Sequence, residues 1–160
     1  MHDPIIQQSA ARAATSAAVI WAMSTAQYPW PRLLIINEIE AAIIDEVSTF
    51  AVNARRAMDA LPPPRTRYAL TPRRDPPWEG AERGVPVTAL REALDRVVHA
   101  SRLTVNFHVL KPQESTIEYG AALLTSLAIE TDRRAVAHVD PLAMADAYLT
   151  GPWSDLGGRE

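Results

Sequence analysis

The sequence predicts an α+β domain, mainly α: an antiparallel helical bundle around one long helix, with a small C-terminal antiparallel sheet. Three observations predict it. Residues Leu33 to Leu61 form one uninterrupted helical pattern, with Pro31 before it and Pro62-Pro63-Pro64 after it. From Leu103 to Leu110 the apolar period switches from about 3.6 to 2. Two further β-prone runs, Ala122 to Glu130 and Arg134 to Val139, are joined by Asp132-Arg133 and read as a hairpin. The whole chain, 1–160, reads as one domain. Its bundle occupies 5–102 around a Pro-rich loop at 62–86, and a β-rich part covers 103–150.

The first helix is expected over residues 5–27, with Asp3 as N-cap and Pro4 at the first helical position. Ile6, Ala10, Ala13, Ala17, Ile20, Trp21 and Ser24 trace a stripe of mostly small residues that permits close packing on a neighbour. Tyr28-Pro29-Trp30-Pro31 is a tight connection whose aromatics cover the end of the helix pair. A short link of this kind favours antiparallel neighbours.

The long helix buries Ile36, Ile43, Val47, Phe50, Ala54 and Leu61 on one stripe. At 1.5 Å per residue it would run roughly 43 Å. Glu46, Thr49 and Asn53 form a polar line beside that stripe, followed by Arg55 and Arg56. These side chains read either as binding groups or as half-exposed partners of acids such as Asp59.

Residues 62–86 hold prolines at 62, 63, 64, 72, 76, 77 and 86 and arginines at 65, 67, 73, 74 and 83. Proline removes donors and blocks regular structure, so a long loop is expected, pinned by Tyr68 and Trp78. Residues 88–101 then read as a helix with Thr88 as N-cap. Leu90, Leu94, Val97, Val98 and Ser101 face inward, and Arg91, Asp95, His99 and Arg102 form a polar stripe. In the strand that follows, Leu103, Val105, Phe107 and Val109 face the core. After the hairpin, Asp140-Pro141 opens a helix to about Tyr148, Gly151-Pro152 stops it, and the Gly-rich end frays.

Composition excludes several function classes. Net charge is −3, so no global basic field advertises nucleic acid. Cysteine is absent, which removes disulfides, thiolate metal sites and cysteine nucleophiles. There is no glycine-rich phosphate loop, nucleophile elbow or His-x-x-x-His pair. No apolar run is long enough for a membrane span, and MHDPIIQQ lacks the basic start of a secretion signal. A cytoplasmic location is expected, with no metal and no cofactor.

One constellation carries chemistry. Asp95 and His99 are an i,i+4 pair, so the carboxylate can orient the imidazole and hold its tautomer. Arg102 offers a guanidinium fork for phosphate, and a neutral His beside it can take the proton of a ribose 2′-hydroxyl. The candidate catalytic residues are His99, Arg102, Asp95 and His108; the candidate binding residues are Asn53, Arg55, Arg56 and Arg96. The competing reading is an ion-pair lattice on a helix surface with His99 as an ordinary member.

The run STFAVNARRAMDAL, with LREALDRVVHASRL on a later helix, resembles the HEPN superfamily of helical domains. The resemblance covers roughly residues 5–102. It implies two long antiparallel helices with shorter ones. It also implies an Arg-x(4–6)-His motif used by metal-independent ribonucleases, often at a dimer interface. Arg102-LTVNF-His108 and Arg133-RAVA-His138 meet that spacing. Two functions are therefore expected as alternatives. One is an RNA-directed protein of a bacterial stress or defence system, acting as a metal-independent endoribonuclease. The other is a non-catalytic domain that dimerises or binds a protein partner. A homodimer is expected in both.

Overall fold

A computed structural model describes residues 3–63, 67–71 and 84–158. The described chain mixes helices with one small sheet. The elements are α1 (Pro4–Thr25), β1 (Tyr28–Pro29), α2 (Leu33–Met58), β2 (Val85–Pro86), α3 (Leu90–Val98), β3 (Arg102–Leu110), β4 (Ala121–Thr131), β5 (Arg134–Val139) and α4 (Pro141–Tyr148).

Local chemistry sets most boundaries. Asp3 Oδ1 accepts from the Ile5 N–H at 2.8 Å, and Pro4 follows at the first helical position. Asp140 Oδ1 does the same for Leu142 N–H at 2.9 Å, ahead of Pro141. Each cap satisfies one orphan donor of a first turn. The third helix starts one residue later than Thr88 as N-cap would place it, with Ala89 at the N-cap and no side-chain cap.

The packing load is shared between two long helices. α1 packs on α2 and α4, and α2 packs on α1 and α3. Tyr148 on α4 shows how they run. Its ring meets Phe50 edge to face, and its hydroxyl donates to Ala10 O at 3.1 Å. The start of α1 therefore lies beside the second half of α2, so the pair is antiparallel. Ser9, Ala10, Ala13, Ser16, Ala17, Ile20 and Ser24 are the buried face of α1, small enough for backbones to approach. Trp21, expected on that stripe, is 46% exposed. It stands about 100° around the helix from Ile20. On α2, Ile36, Ile43, Val47, Phe50 and Ala54 are buried as the period requires. The helix ends at Met58, and Leu61 packs from the turn beyond it.

β4 is the middle of the sheet. β3 runs antiparallel along one edge, from Arg102 opposite Glu130 to Leu110 opposite Ala121. The other edge is divided between β1, opposite Ala121 and Ala122, and β5, opposite Leu127 to Thr131. The short β2 lies parallel on the outside of β5. Leu124 and Leu127 are both fully buried in one core although they stand three steps apart, which on a regular strand puts them on opposite faces. A bulge resolves this: register passes from Phe107↔Leu124 to Asn106↔Ser126, leaving Thr125 extra. Thr125 Oγ1 fastens it by donating to Asn106 O at 3.0 Å. Leu103, Val105 and Phe107 pack on the core, but Val109 is 41% exposed near the end of the sheet, against expectation.

Gly151-Pro152 does not stop the last helix. A π-helical turn, Leu149–Trp153, carries α4 onward. Gly151 is needed for contact rather than termination, since a Cβ there would lie 2.5 Å from Tyr68 Cδ1. The Gly-rich end is also tied down, with Gly158 N–H donating to Trp153 O at 2.9 Å. Tyr68 pins its loop as expected: its hydroxyl donates to Asp155 Oδ2 at 2.6 Å. Trp78 and most of the Pro-rich stretch lie outside the described residues.

Candidate functional site

Asp95 sits in the middle of α3, facing the last turns of α2. Its Oδ1 lies 3.0 Å from Arg55 Nε and 3.4 Å from Arg91 Nε. Neither contact has hydrogen-bond alignment, so the pairing is of charge. Arg91 is only 6% exposed and reaches further. Its Nη1 lies 2.8 Å from Asp59 Oδ1 and donates to Arg55 O at 3.3 Å. Two guanidiniums and two carboxylates thus lock α3 to the end of α2. Asp59 pairs with Arg91, whereas sequence reasoning offered it to Arg55 or Arg56. Arg91 itself was expected on the outer polar stripe.

His99 is the C-cap residue of α3 and is exposed. Its Nε2 lies 3.4 Å from Arg55 Nη1. A guanidinium only donates, so a hydrogen bond here has Nε2 as its acceptor, which is the tautomer with the proton on Nδ1. The expected direct Asp95–His99 pairing is replaced by a relay. Asp95 holds Arg55, and Arg55 meets the imidazole.

Asp95, Arg96 and His99 line one wall of a cleft of about 420 Å³; Thr131, Asp132, Arg133 and Arg134 line the other. The second wall is the tight β4–β5 connection. Thr131 Oγ1 holds it by accepting from Arg134 N–H at 3.1 Å. Arg96 belongs to the cleft by position, but its donors are committed. Nε donates to Glu92 Oε1 at 3.2 Å and Nη1 to Ala135 O at 3.0 Å. The exposed guanidiniums are those of Arg133 and Arg134. The sequence marks Arg133 as a turn and motif residue and Arg134 as the start of a strand, and neither was among the candidate site residues.

Other candidates stand elsewhere. Arg102 opens β3 and His108 lies six residues on along the same unbulged strand. Six steps of about 3.3 Å put their backbones roughly 20 Å apart. Within one chain this Arg-x(5)-His pair cannot meet a single phosphate. Asn53 donates to its own helix, Nδ2 to Thr49 O at 2.9 Å, and Arg56 is an exposed residue of the last turn of α2. His138, partner of Arg133 in the second motif, is half-buried on β5 and packs beside Gly84. His2 lies outside the described residues.

Among the described residues, no group of three or more His, Asp and Glu could hold a metal ion. No helix among them is long and apolar enough to cross a membrane. No family model, no curated protein and no solved structure matches the chain.

Proposed function

We propose that the chain is a HEPN-like, RNA-directed protein of a bacterial stress or defence system, cutting RNA in the α3–β5 cleft without a metal. In this reading α2 is the organising helix of the bundle, and the protein works as a cytoplasmic homodimer. One observation carries the catalytic part: the exposed imidazole of His99 lines the cleft, with its Nε2 3.4 Å from an Arg55 Nη1 that Asp95 holds in place.

The chemistry follows from the tautomer with the proton on Nδ1. An imidazole nitrogen has one lone pair, so His99 Nε2 exchanges its contact with Arg55 for the ribose 2′-hydroxyl when RNA binds and then takes that proton. The 2′-oxygen attacks the adjacent phosphorus and the bond from phosphorus to the 5′-oxygen breaks. A 2′,3′-cyclic phosphate remains, and the departing 5′-oxygen is protonated from solvent. Arg133 and Arg134 face the phosphate, and Arg55 stabilises its developing charge.

The test is cleavage of unstructured RNA in EDTA by the wild type, His99→Ala and an Arg133→Ala/Arg134→Ala double variant. His99→Ala should lose about 10²–10⁴-fold in rate, the usual effect of removing a general base. The double variant should mainly raise KM. Undiminished cleavage by His99→Ala would overturn the assignment.

A second reading has its own observation. The first turn of α2 exposes Leu33, Leu34 and Ile35, with Leu34 75% accessible. Contiguous exposed apolar residues mark interaction sites. A stable homodimer with no RNA affinity would favour a non-catalytic partner-binding domain.

A further inference from the structure

The opposite end of β4 carries a second cleft, which the proposed chemistry does not use. The Tyr28–Arg32 connection and the loop before β4 stand side by side there, joined by Trp30 N–H donating to Gly120 O at 3.3 Å. Between them Pro29, Trp30, Pro31, Arg32, Ile117 and Tyr119 enclose about 400 Å³. The lining therefore has two aromatic rings, one cation and no carboxylate.

Both walls are held before any ligand arrives. Trp30 packs on the buried cluster of Tyr28, Ile36 and Ala122. Across the cleft, Gln27 Oε1 accepts from Thr116 N–H at 2.9 Å and Thr116 Oγ1 at 2.8 Å. Ser115 Oγ in turn accepts from Ile117 N–H at 2.8 Å, and Gly120 N–H donates back to Ile117 O at 3.1 Å. Gly120 closes the turn at φ +103°, a conformation that other residues rarely adopt. Tyr119 is carried on this anchored loop and is 73% exposed. With the loop backbone already held, only the two side-chain torsions of Tyr119 are ordered when a ligand covers its ring.

The backbone of this wall argues against a peptide occupant. Pro29 and Pro31 have no N–H, Trp30 N–H is bonded to Gly120 O, and Arg32 N–H is bonded to Pro29 O at 3.3 Å. Residues 29–32 thus have no free backbone donor for peptide carbonyls. What remains is recognition by side chains: two ring faces with their indole N–H and phenol hydroxyl, and one positive charge. A nucleotide offers the complement, a planar base and one phosphate.

We propose that this cleft holds one nucleotide of single-stranded RNA, its base stacked on Trp30 and Tyr119 and its phosphate on Arg32. The identification of the polymer as RNA rests on the function proposed above. Ten strand steps separate Ala121 from Thr131, so the two clefts lie roughly 30 Å apart along β4. This one anchors the strand, and the other cuts it.

The test uses the full chain and a fluorescent oligoadenylate of about ten nucleotides, within the usual site size for single-strand binders. Anisotropy is followed at several salt concentrations for the wild type, Tyr119→Ala, Arg32→Ala and the Arg133→Ala/Arg134→Ala double variant. Tyr119 and Arg32 are exposed, so both variants keep the fold, which circular dichroism checks. Tyr119→Ala should weaken binding by about 5- to 150-fold, the contribution of one stacked base. Arg32→Ala should lower the slope of log affinity against log salt by about 0.7, one phosphate contact on a single strand. If both bind as the wild type does while the double variant weakens, the anchor is overturned and the RNA function stands. If Tyr119→Ala weakens and the double variant does not, the anchor stands and the α3–β5 site falls. A wild type that does not bind RNA overturns both. An oligoproline peptide that binds the wild type but not Tyr119→Ala, with RNA affinity unchanged in that variant, would make the cleft a peptide groove and overturn the proposal.

Discussion

The rings of Phe50 and Tyr148 meet edge to face, with centroids 5.4 Å apart and planes at 90°. Both side chains are fully buried, and the pair joins α2 to α4 across the core. Phe50→Ala should destabilise the fold by about 3–5 kcal/mol, from lost transfer energy and the cavity left behind. Tyr148→Phe keeps the ring contact and should cost about 0.5–1.5 kcal/mol for the lost bond to Ala10 O. Urea denaturation should rank the two variants in that order. An unchanged midpoint for Phe50→Ala would refute the packing.

Tyr68 predicts an alkaline limit. Its hydroxyl is pushed up to about 12 by burial, by its hydrogen bond to Asp155 and by that residue's charge, against a smaller opposing effect of Arg67. The folded state therefore holds the phenol proton more tightly than the unfolded chain, whose tyrosines titrate near 10. The associated stability is complete below pH about 10 and is lost as pH rises towards 12. Burial raises Tyr148 as well, so it adds to the same limb. Thermal melts between those pH values should fall less steeply for Tyr68→Phe than for the wild type. Parallel curves would show that Tyr68 is not coupled to folding.

Gly120→Ala should be strained twice. Its φ is +103°, and an added Cβ would sit 3.0 Å from Leu110 O, a backbone atom. The expected cost is about 1–3 kcal/mol. Gly157→Ala is the control, since it shares a positive φ but has nothing within 4 Å of the added Cβ. Equal melting temperatures for the two variants would remove the contribution of close approach.

Arg102 and His108 supply the sharpest contrast with His99. They lie roughly 20 Å apart on one strand. Arg102→Ala and His108→Ala should keep RNA cleavage within a few-fold of wild type, while His99→Ala loses it. Loss in both strand variants with His99→Ala active would place the site across a dimer interface, and the α3–β5 assignment would be wrong.

Much of the architecture was legible because it is written in local rules. Asp3-Pro4 and Asp140-Pro141 announce helix starts through caps that need only neighbouring atoms. The stripe from Ile36 to Ala54 and the run from Arg134 to Val139 follow from period alone. Helix ends were less legible: α2 stops at Met58 rather than Leu61, and Pro152 is absorbed in a π-helical turn. Both depend on what the following residues pack against.

By itself, then, the sequence determined the four helices and three longer strands in order, most of the core stripes, the absence of thiol chemistry, and the neighbourhood of Asp95 and His99 on one helix, but not the short strands β1 and β2. The tertiary structure alone decided which partner each charge meets. Ion pairs form between side chains that folding brings together, and an i,i+4 spacing only permits a contact. Arg55 reaches Asp95 across 40 positions and touches His99 across 44, so no local pattern could assign them. The same reason hid the cleft walls. Arg133 and Arg134 share a cleft with His99 only because β4 returns antiparallel to β3, and Trp30 shares one with Tyr119 only because β1 joins the start of β4.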